Sequence, residues 1–537
     1  MSTAPHNTPV ETEAASTGEV TNTERRGPVN MPLGARNRGK AEGENTLMSQ
    51  TLLLLTIMVI VGGLPAAGQQ PTVKRLDGST ITSAEIDRTV TRLMRAANVT
   101  GVGVAIFNNR KVAYLKTYGV RDKEKNLLLT EDSVMAAASL TKVAFAYMVM
   151  QLVEKRVLDL DKPVYQYLPK PLPEYPGYKD LADAPRYKQI TARMLLSHTS
   201  GFPNLRQVNK DQKLNINFEP GSRYAYSGEG IQLLQLVVET VTKKSVQELM
   251  RDHVFQPLGM TRSSLVWESR FEDNLAFPYN EDGRSLGPPE QRAPATAAGS
   301  MLTTLRDFTS FMQAVISSRS LRREIRDLML SPQIQILSKR QFPTLATETT
   351  EENKPIRLSY GLGWGLYWTP YGKAFFKEGH SEGWRNYTVC FDDQKTGIVI
   401  MTNSSNGEGI YKELLETLLK NTFTPIEWEG FIPYDKLPPR KPPKEHKEVA
   451  IDPKLLDRYV GRYTIPPNIL TITRVGNHLF VQQDEDPTKI EIFPESDQDF
   501  FAKVMDIWMT FETDSQGRAT ALIVHTGGMN LRAKRVE

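Results

Sequence analysis

The feature that most constrains this chain is an uninterrupted apolar run that follows a serine and a lysine. Ser139-Leu140-Thr141-Lys142 leads into residues 143–153, which contain no glycine or proline and where Gln151 interrupts the apolar character. A segment that is apolar nearly all round predicts a helix buried in the middle of a large domain. We therefore expect Ser139 and Lys142 to lie at the start of such a helix.

The spacing of these two residues suggests chemistry. Side chains three residues apart project from one helix face, and the first turn offers unpaired N–H groups and a favourable dipole. A serine hydroxyl becomes a good nucleophile when a base takes its proton, and burial can lower the pKa of a lysine enough for that role. The alternative interpretation is an N-capping serine followed by a lysine whose charged end reaches solvent.

Two later polar segments carry further candidates. His198 lies in a glycine-containing turn after a short helix, where it is either a general base or, as its Ser and Thr neighbours favour, a residue that locks the loop by hydrogen bonds. Tyr226 directly precedes an apolar helix that begins near Ile231. A phenol held near a lysine can ionise enough to relay protons, whereas the alternative is a half-buried packing tyrosine.

The segment before Ser139 indicates mixed α/β construction. Ser83 is predicted to cap a helix over residues 84–97, with apolar residues on one face. Residues 102–107 and 112–115, separated by an Asn-containing turn, predict a β-hairpin.

Several segments together resemble the β-lactamase-related serine hydrolases, a group that includes class C β-lactamases, D-alanyl-D-alanine carboxypeptidases and β-lactamase-fold esterases. The likeness extends over roughly residues 80–425. The matching segments are Ser139-x-x-Lys142, 195–201, 220–227, 257–261, 298–304 and 360–364. The resemblance implies an α/β (α+β) β-lactamase/transpeptidase-like fold, with an antiparallel sheet flanked by helices and an all-helical subdomain. It also implies an acyl-serine mechanism with no metal and no cofactor.

The resemblance assigns roles to individual residues. Ser139 would be the acylated nucleophile, Lys142 its base and Tyr226 the second proton-transfer residue. The third motif of the family, Lys-Thr-Gly or His-x-Gly on an edge strand, is assigned to His380. Lys395-Thr396-Gly397 is a literal match, but its surroundings predict a hairpin turn, so Lys395 is interpreted as a solvated turn residue.

The residues around His380 are expected to contact substrate. These substrate-binding candidates are Ser381, Glu382, Gly383 and Arg385. An oxyanion hole is expected from the backbone N–H of Ser139 and of the strand near Gly383.

Two positions depart from the family pattern. Gly228 stands where the family often has Asn, so a side-chain amide that would hold a substrate carbonyl is missing. Glu382 stands where the family usually has Gly. A carboxylate facing the cleft would repel a substrate carboxylate, which predicts a preference for neutral esters or for substrates with a free amine.

The two ends of the chain indicate further segments. Residues 1–47 have the composition of a disordered leader, and 48–68 are interpreted as a signal peptide, with an uncleaved membrane anchor as the alternative. The hydrolase domain is placed at 71–430 and a Pro-rich linker at 431–450. Residues 451–537 contain short strand-like runs that predict a small antiparallel barrel resembling the lipocalin-like domain appended to such hydrolases.

Composition excludes several other classes. The 66 basic and 62 acidic residues give a net charge of +4, which offers no reason to expect a nucleic acid partner. The single cysteine, Cys390, rules out an internal disulfide, and the seven histidines lack metal-site spacing.

The sequence therefore predicts a secreted or periplasmic serine hydrolase acting on a small-molecule or peptide substrate, either a D-amino-acid peptide or an ester. The alternative is a penicillin-binding or peptide-binding protein with slow or no turnover. Loose membrane or cell-wall association and the oligomeric state are left open.

Overall fold

The computed structural model describes residues 72–289, 291, 293–437, 446–465, 468–484, 488–503, 507–526 and 529–536. The predicted leader (1–47) and signal peptide (48–68) lie outside the described residues, as does part of the predicted linker. Among the described residues, no helix is both long enough and apolar enough to cross a membrane.

The strands before the C-terminal barrel are of two kinds, long ones of 5 to 12 residues and short ones of 2 or 3 residues. They are β1 Thr72–Lys74, β2 Thr80–Thr82, β3 Gly101–Asn108, β4 Lys111–Asp122, β5 Leu127–Leu128, β6 Met135–Ala136, β7 Leu302–Thr303, β8 Ile334–Gln335, β9 Ser359–Tyr360, β10 Gly365–Thr369, β11 Gly372–Ser381, β12 Trp384–Phe391 and β13 Thr396–Thr402.

The α-helices precede, follow and interrupt these strands. They are α1 Ser83–Ala97, α2 Leu140–Glu154, α3 Ala192–Leu196, α4 Gly228–Thr242, α5 Val246–Met250, α6 Gln256–Leu258, α7 Leu305–Ser317, α8 Arg323–Met329, α9 Tyr411–Leu414 and α10 Ile426–Glu429.

A central antiparallel sheet organises the first part of the described chain. Its strand order is β5-β4-β3-β13-β12-β11-β10-β9-β8. The predicted hairpin of β3 and β4 is confirmed, and β3 pairs with β13, the last strand of the sheet along the chain. Side chains alternate between two cores, as the pleat requires. Val104 and Ile106 enter the core that contains α1 and α9, whereas Ala105 and Phe107 enter the core that contains α2, α4 and α7.

Helix α2 is the most deeply buried helix of this arrangement. Every residue from Leu140 to Leu152 is buried, because one side of the helix packs on the sheet and the others meet the helical segment between Lys155 and Leu258. Within that segment the described residues form helices and turns and no strand. This confirms the expected all-helical subdomain and the buried helix predicted from the apolar run.

Helix α1 begins one residue earlier than predicted. Thr82, not Ser83, is the N-cap: its hydroxyl accepts from the Glu85 N–H while the Glu85 carboxylate accepts from the Thr82 N–H. Such a reciprocal capping box satisfies two helix-end donors, which decides the boundary. The apolar face of the helix is buried as expected.

The C-terminal part is a closed antiparallel barrel, as predicted. Its strands are β14 Gly461–Ile465, β15 Asn468–Val475, β16 His478–Gln483, β17 Ile490–Pro494, β18 Asp499–Ala502, β19 Trp508–Thr513, β20 Ala519–Thr526 and β21 Met529–Arg535, and β14 pairs with β21 to close it. Aromatic side chains fill its core: the Tyr459 and Phe511 rings stack 4.5 Å apart, and Phe500 packs edge-on against Phe511. A core packed in this way favours a packing module over a ligand-binding cup.

Candidate active site

The site is built on the turn that leads into α2. Ser139 is the residue before the helix and makes no side-chain capping hydrogen bond, so the N-cap interpretation is wrong. Ala138, just before it, has φ +47°, and its carbonyl accepts from the Thr141 hydroxyl at 2.6 Å. That hydroxyl in turn accepts from the Met301 N–H at 3.1 Å. The turn is thereby tied to the β6–β7 pair, and the Ser139 hydroxyl is left for other partners.

Lys142 is buried against that hydroxyl. Its ammonium lies 3.1 Å from Ser139 Oγ and also donates to the Ala298 carbonyl. Only 3% of the residue is exposed, so the solvent-reaching alternative is wrong as well. Burial, reinforced by the positive charge of Lys377 and opposed by Glu378, lowers the pKa of Lys142 to about 7. A lysine with this pKa is substantially neutral at physiological pH and can act as a base.

Tyr226 stands over the same two groups. The Lys142 ammonium lies 5.0 Å and the Lys377 ammonium 4.7 Å from the centre of its ring. Its hydroxyl is buried without a well-aligned hydrogen-bond partner among the described residues, although the Ser139 side chain is near enough to lower its pKa in part. Burial, followed by the Glu378 charge, outweighs that effect and raises the pKa of Tyr226 well above 10. The protonated form of the phenol is therefore the favoured one, whereas the expected relay relied on an ionised phenol.

His198 holds the tyrosine loop in place. Its Nδ1 accepts from the Ser227 N–H at 3.2 Å, and its ring packs 4.6 Å from that of Tyr226. Burial, together with the charges of Lys377 and Lys142, lowers the pKa of His198 well below 6.5. A neutral imidazole that accepts a backbone N–H is a loop-locking residue, which agrees with the interpretation favoured from its neighbours.

The strand beside Ser139 is β11, and Gly379 explains why this strand can approach the start of α2 so closely. A Cβ on Gly379 would lie 2.4 Å from the Ala137 carbonyl oxygen and 3.0 Å from Leu140 Cγ. The strand therefore passes directly over the start of α2. Lys377 lies two residues earlier on the same face of the strand, which directs its side chain towards Tyr226 and Lys142.

The structure does not bring the His380 side chain to this cluster. His380 alternates to the other face of β11, where its ring packs 4.7 Å from Phe431 and its Nε2 lies 3.2 Å from Glu408 Oε2. Burial, with Arg385 and Lys377, lowers the pKa of His380 well below 6.5. The basic side chain of this strand that faces the nucleophile is Lys377, in a Lys377-Glu378-Gly379 sequence that motif reasoning passed over.

The remaining substrate-binding candidates lie around the hairpin turn. Ser381 is half-buried on the same strand face as Lys377, and Glu382 is exposed in the two-residue turn. Gly383 has φ +71°, and a Cβ there would lie 2.3 Å from Pro278 Cβ, so both its backbone and its surroundings require glycine. Arg385 is committed to Glu408 at 2.8 Å and to the Ser381 carbonyl at 2.5 Å.

Lys395 lies in the turn between β12 and β13, as predicted. It is paired rather than solvated, because its ammonium contacts Asp392 Oδ1 at 2.6 Å. This turn joins the end of β12 to the start of β13. Ser381 and Asn403 lie near the opposite ends of these strands, so the literal Lys-Thr-Gly triplet is separated from the Gly379 end of β11.

The space left by Gly228 is occupied. A Cβ at this position would lie 2.7 Å from the Asn204 carbonyl and 3.1 Å from its Oδ1, and the Gly228 N–H donates to that Oδ1 at 3.1 Å. A larger residue at 228 would displace Asn204, which explains why this chain has glycine there.

Two members of the cluster, Lys377 and Glu378, were missed by sequence reasoning. The signal that could have found Lys377 was the strand periodicity: in 377–383, a lysine and a glycine two residues apart share one face, whereas Glu378 and His380 alternate to the other. Glu378 joins the cluster through its contact with the Lys377 ammonium, which periodicity does not predict. Among the described residues, no group of three or more histidine, cysteine or acidic side chains is placed to hold a metal ion.

Comparison with known proteins places this geometry in a family. The Beta-lactamase family matches residues 86–419, and a domain of unknown function (DUF3471) matches residues 445–535. A penicillin-binding protein of Bacillus subtilis (strain 168) is 23% identical over 463 residues, which cover 79% of this chain and 93% of that protein. Esterase EstB of Burkholderia gladioli is 28% identical over 253 residues, which cover 42% of this chain and 60% of the esterase.

A solved structure has the same fold. The octameric penicillin-binding protein homologue from Pyrococcus abyssi superimposes with a TM-score of 0.52 at 20% sequence identity, over 84% of this chain and 100% of that one. The family match spans more than half of the chain and includes Ser139, Lys142, Tyr226 and Lys377, and the chain therefore belongs to the Beta-lactamase family.

Proposed function

We propose that this protein is a serine hydrolase that forms a covalent acyl-enzyme on an ester or peptide substrate. The observation that carries the proposal is the contact of 3.1 Å between Lys142 Nζ and Ser139 Oγ, made by a lysine whose pKa is lowered to about 7. A nucleophile paired with a neutral base is the arrangement that acyl transfer needs. The relatives named as an esterase and as penicillin-binding proteins agree with this class of reaction.

The first half-reaction follows from the positions of three groups. Neutral Lys142 takes the proton of Ser139 as Oγ attacks the substrate carbonyl carbon, and the carbonyl oxygen gains the negative charge. When the tetrahedral intermediate collapses, the bond to the leaving group breaks and the leaving alcohol or amine takes a proton from Tyr226 or from Lys142. In the second half-reaction, water gives a proton to the same groups as its oxygen attacks the acyl carbon on Ser139. When the bond from that carbon to Oγ breaks, the proton passes to Oγ, the serine hydroxyl is restored and the acid leaves.

The oxyanion is assigned to two backbone N–H groups, those of Ser139 and His380. Ser381 and Trp384 flank the two-residue turn and pair with each other, so by alternation the His380 N–H points away from β12. Since β10 pairs with β11 only from Gly372 to Phe376, this N–H faces the open strand edge. His380 thus enters the mechanism through its backbone, whatever its side chain does.

The test is the site of acylation. A fluorophosphonate should modify the peptide that contains Ser139, as read by mass spectrometry, and Ser139→Ala should remain unmodified. Ser227→Ala and Ser381→Ala are the matched controls and should be labelled as wild type. An adduct on Ser227 or Ser381 in the wild-type protein would reject the assignment.

The second candidate function, a penicillin-binding or peptide-binding protein with slow turnover, is favoured by Gly228, which has no side-chain amide to hold a substrate carbonyl and whose surrounding space is taken up by Asn204. Burst kinetics separate the two. A chromogenic ester that gives a burst followed by steady turnover supports the hydrolase, whereas a stoichiometric burst with no turnover, for the ester and for a cephalosporin, supports the binding protein.

Secretion through residues 48–68 remains part of the proposal, and N-terminal sequencing of the exported protein tests it.

A further inference from the structure

A buried ion pair occupies the strand that lines the site. The Lys377 ammonium contacts Glu378 Oε1, and the two side chains are 1% and 6% exposed. The Gln341 amide also donates to Glu378 Oε1, at 3.0 Å. Two donors therefore fix this carboxylate in a place that excludes solvent, and an ion pair in such a setting is costly to separate.

The pair lies where a leaving group would sit. The Lys377 ammonium is 4.7 Å from the centre of the Tyr226 ring, and Lys142 approaches the same ring to 5.0 Å. Because the leaving group takes its proton from Tyr226 or Lys142, it must come within reach of Lys377 and Glu378 during the reaction. A charge on the leaving group would therefore meet these two residues first.

The nearby charged groups are already engaged. Glu429 is buried and accepts from the Tyr387 hydroxyl at 2.8 Å, and burial together with Glu378 raises its pKa well above 4.5, which disfavours its charged form. Arg385, the arginine of the same hairpin, is bonded to Glu408 and to two backbone carbonyls. Among the described residues, Glu378 is the carboxylate in direct contact with the Lys377 ammonium.

We propose that Glu378 neutralises Lys377 and thereby makes the acyl-serine site selective for substrates whose leaving group carries no carboxylate. The inference rests on the proposed function. A carboxylate on the leaving group would have to displace Glu378 from Lys377 and Gln341, and it would be repelled by Glu378 while doing so. A neutral leaving group has no such partner to displace. The carboxylate that sets the preference is this buried one, rather than Glu382 in the exposed turn.

The test compares two substrates that differ in one group: an N-acylglycyl thioester of thioglycolate with a free carboxylate, and the same thioester with that carboxylate methylated. In the wild-type protein, kcat/KM for the charged thioester should be at least tenfold below that for its methyl ester. Equal rates, or a preference for the charged thioester, would overturn the proposal without any variant being needed.

Two variants then locate the responsible carboxylate. Glu378→Gln removes the charge and keeps the size, and it should raise the ratio of charged to neutral kcat/KM at least tenfold. Glu382→Gln makes the same change in the exposed turn and should alter this ratio less than twofold. If Glu382→Gln produces the tenfold rise instead, Glu382 sets the preference and the proposal fails. The Glu382→Gln comparison remains decisive even when the Glu378→Gln variant does not fold.

The failure of this inference can be told apart from the failure of the proposed function. If neither thioester acylates Ser139, as read by mass spectrometry of the quenched reaction, the hydrolase proposal itself is wrong. If both acylate Ser139 at equal rates, the hydrolase proposal stands and the selectivity assigned to Glu378 is rejected.

Discussion

At the scale of single residues, the site is an arrangement of buried charges around one aromatic ring. Lys142 can be a base only because burial and Lys377 disfavour its protonated form, while Glu378 limits the shift. Tyr226 remains protonated because burial and Glu378 disfavour its anion. Burial therefore sets the direction of both pKa shifts, and charged neighbours from β11, a strand far away in sequence, adjust them.

The first prediction concerns pH. Since the neutral form of Lys142 is the base, kcat/KM for a neutral ester should rise with pH and reach half its maximum near pH 7. Lys377→Met removes a positive charge that lowers the pKa of Lys142, so the rising limb should move to higher pH. The measurement is a pH–rate profile of both proteins. A limb that stays in place or moves to lower pH in Lys377→Met would show that Lys377 does not tune Lys142.

The second prediction separates the three candidate basic residues of the third motif. Lys377→Ala should lower kcat/KM for a neutral ester by about 100-fold, because the positive charge beside Tyr226 is lost. His380→Ala should change it by less than about threefold, since the backbone rather than the imidazole faces the open edge. Lys395→Ala, in the Asp392 ion pair, is the matched lysine control and should leave it unchanged.

Circular dichroism at the assay temperature checks that these three variants are folded. If His380→Ala is folded yet nearly inactive while Lys377→Ala retains activity, the imidazole is the functional group after all. The same result would return the third motif to the position predicted from the sequence.

At the scale of elements, the site depends on the close approach of β11 to the first turn of α2. Gly379 permits this approach, and the Asn386 amide of the neighbouring strand donates to the Ala136 carbonyl at 3.0 Å just before the turn. The helix start is therefore held by β11 and β12, two neighbouring strands more than 200 positions later in the chain.

The third prediction tests this contact. Gly379→Ala places a Cβ 2.4 Å from the Ala137 carbonyl, so either the strand or the helix start must move. The free energy of unfolding should fall by about 1–3 kcal/mol, and ester hydrolysis should drop more than tenfold. Urea denaturation and steady-state kinetics measure the two effects.

Gly299→Ala is the control for the third prediction, because its Cβ would lie 3.9 Å from Ala138, an ordinary contact. It should leave both quantities near those of the wild type. A fully active Gly379→Ala variant would show that the start of α2 can shift without harm to the site.

At the scale of the whole molecule, the chain joins a Beta-lactamase family domain, which contains the proposed catalytic cluster, to a barrel whose core is filled by aromatic packing. Among the described residues, no barrel side chain takes part in the hydrogen bonds and ring contacts of Ser139, Lys142, Tyr226 and Lys377. A hydrogen bond between the two parts runs from the Gln212 amide to the Arg532 carbonyl, at 3.3 Å.

The fourth prediction follows from that separation. Phe511 packs against Tyr459, Phe500 and Tyr463, so Phe511→Ala should cost the barrel about 3–5 kcal/mol. Labelling of Ser139 by a fluorophosphonate at 25 °C should be unchanged. Differential scanning calorimetry gives the first quantity and mass spectrometry the second. Loss of labelling while the hydrolase part remains folded would mean that the barrel supports the site directly.

Much of the fold and three members of the proposed catalytic cluster, Ser139, Lys142 and Tyr226, could be predicted from the sequence. The apolar run gave a buried helix with Ser139 and Lys142 on one face, because helical spacing is a local property of the chain. The β3–β4 hairpin, the all-helical segment and the C-terminal barrel likewise follow from short-range patterns. The boundary of α1 was missed by one residue, since the reciprocal bonds of Thr82 and Glu85 outcompete the neighbouring serine.

The third motif was decided only by the tertiary structure. Sequence resemblance favoured His380, but the pleat of β11 sends that side chain to the opposite face, and Lys377 takes the position beside Tyr226. Which face meets α2 depends on the order of strands in the sheet, and no local pattern contains it. The protonation of Tyr226 and the pairing of Glu378 with Lys377 were hidden for the same reason, because burial and charge neighbours exist only once distant segments have packed together.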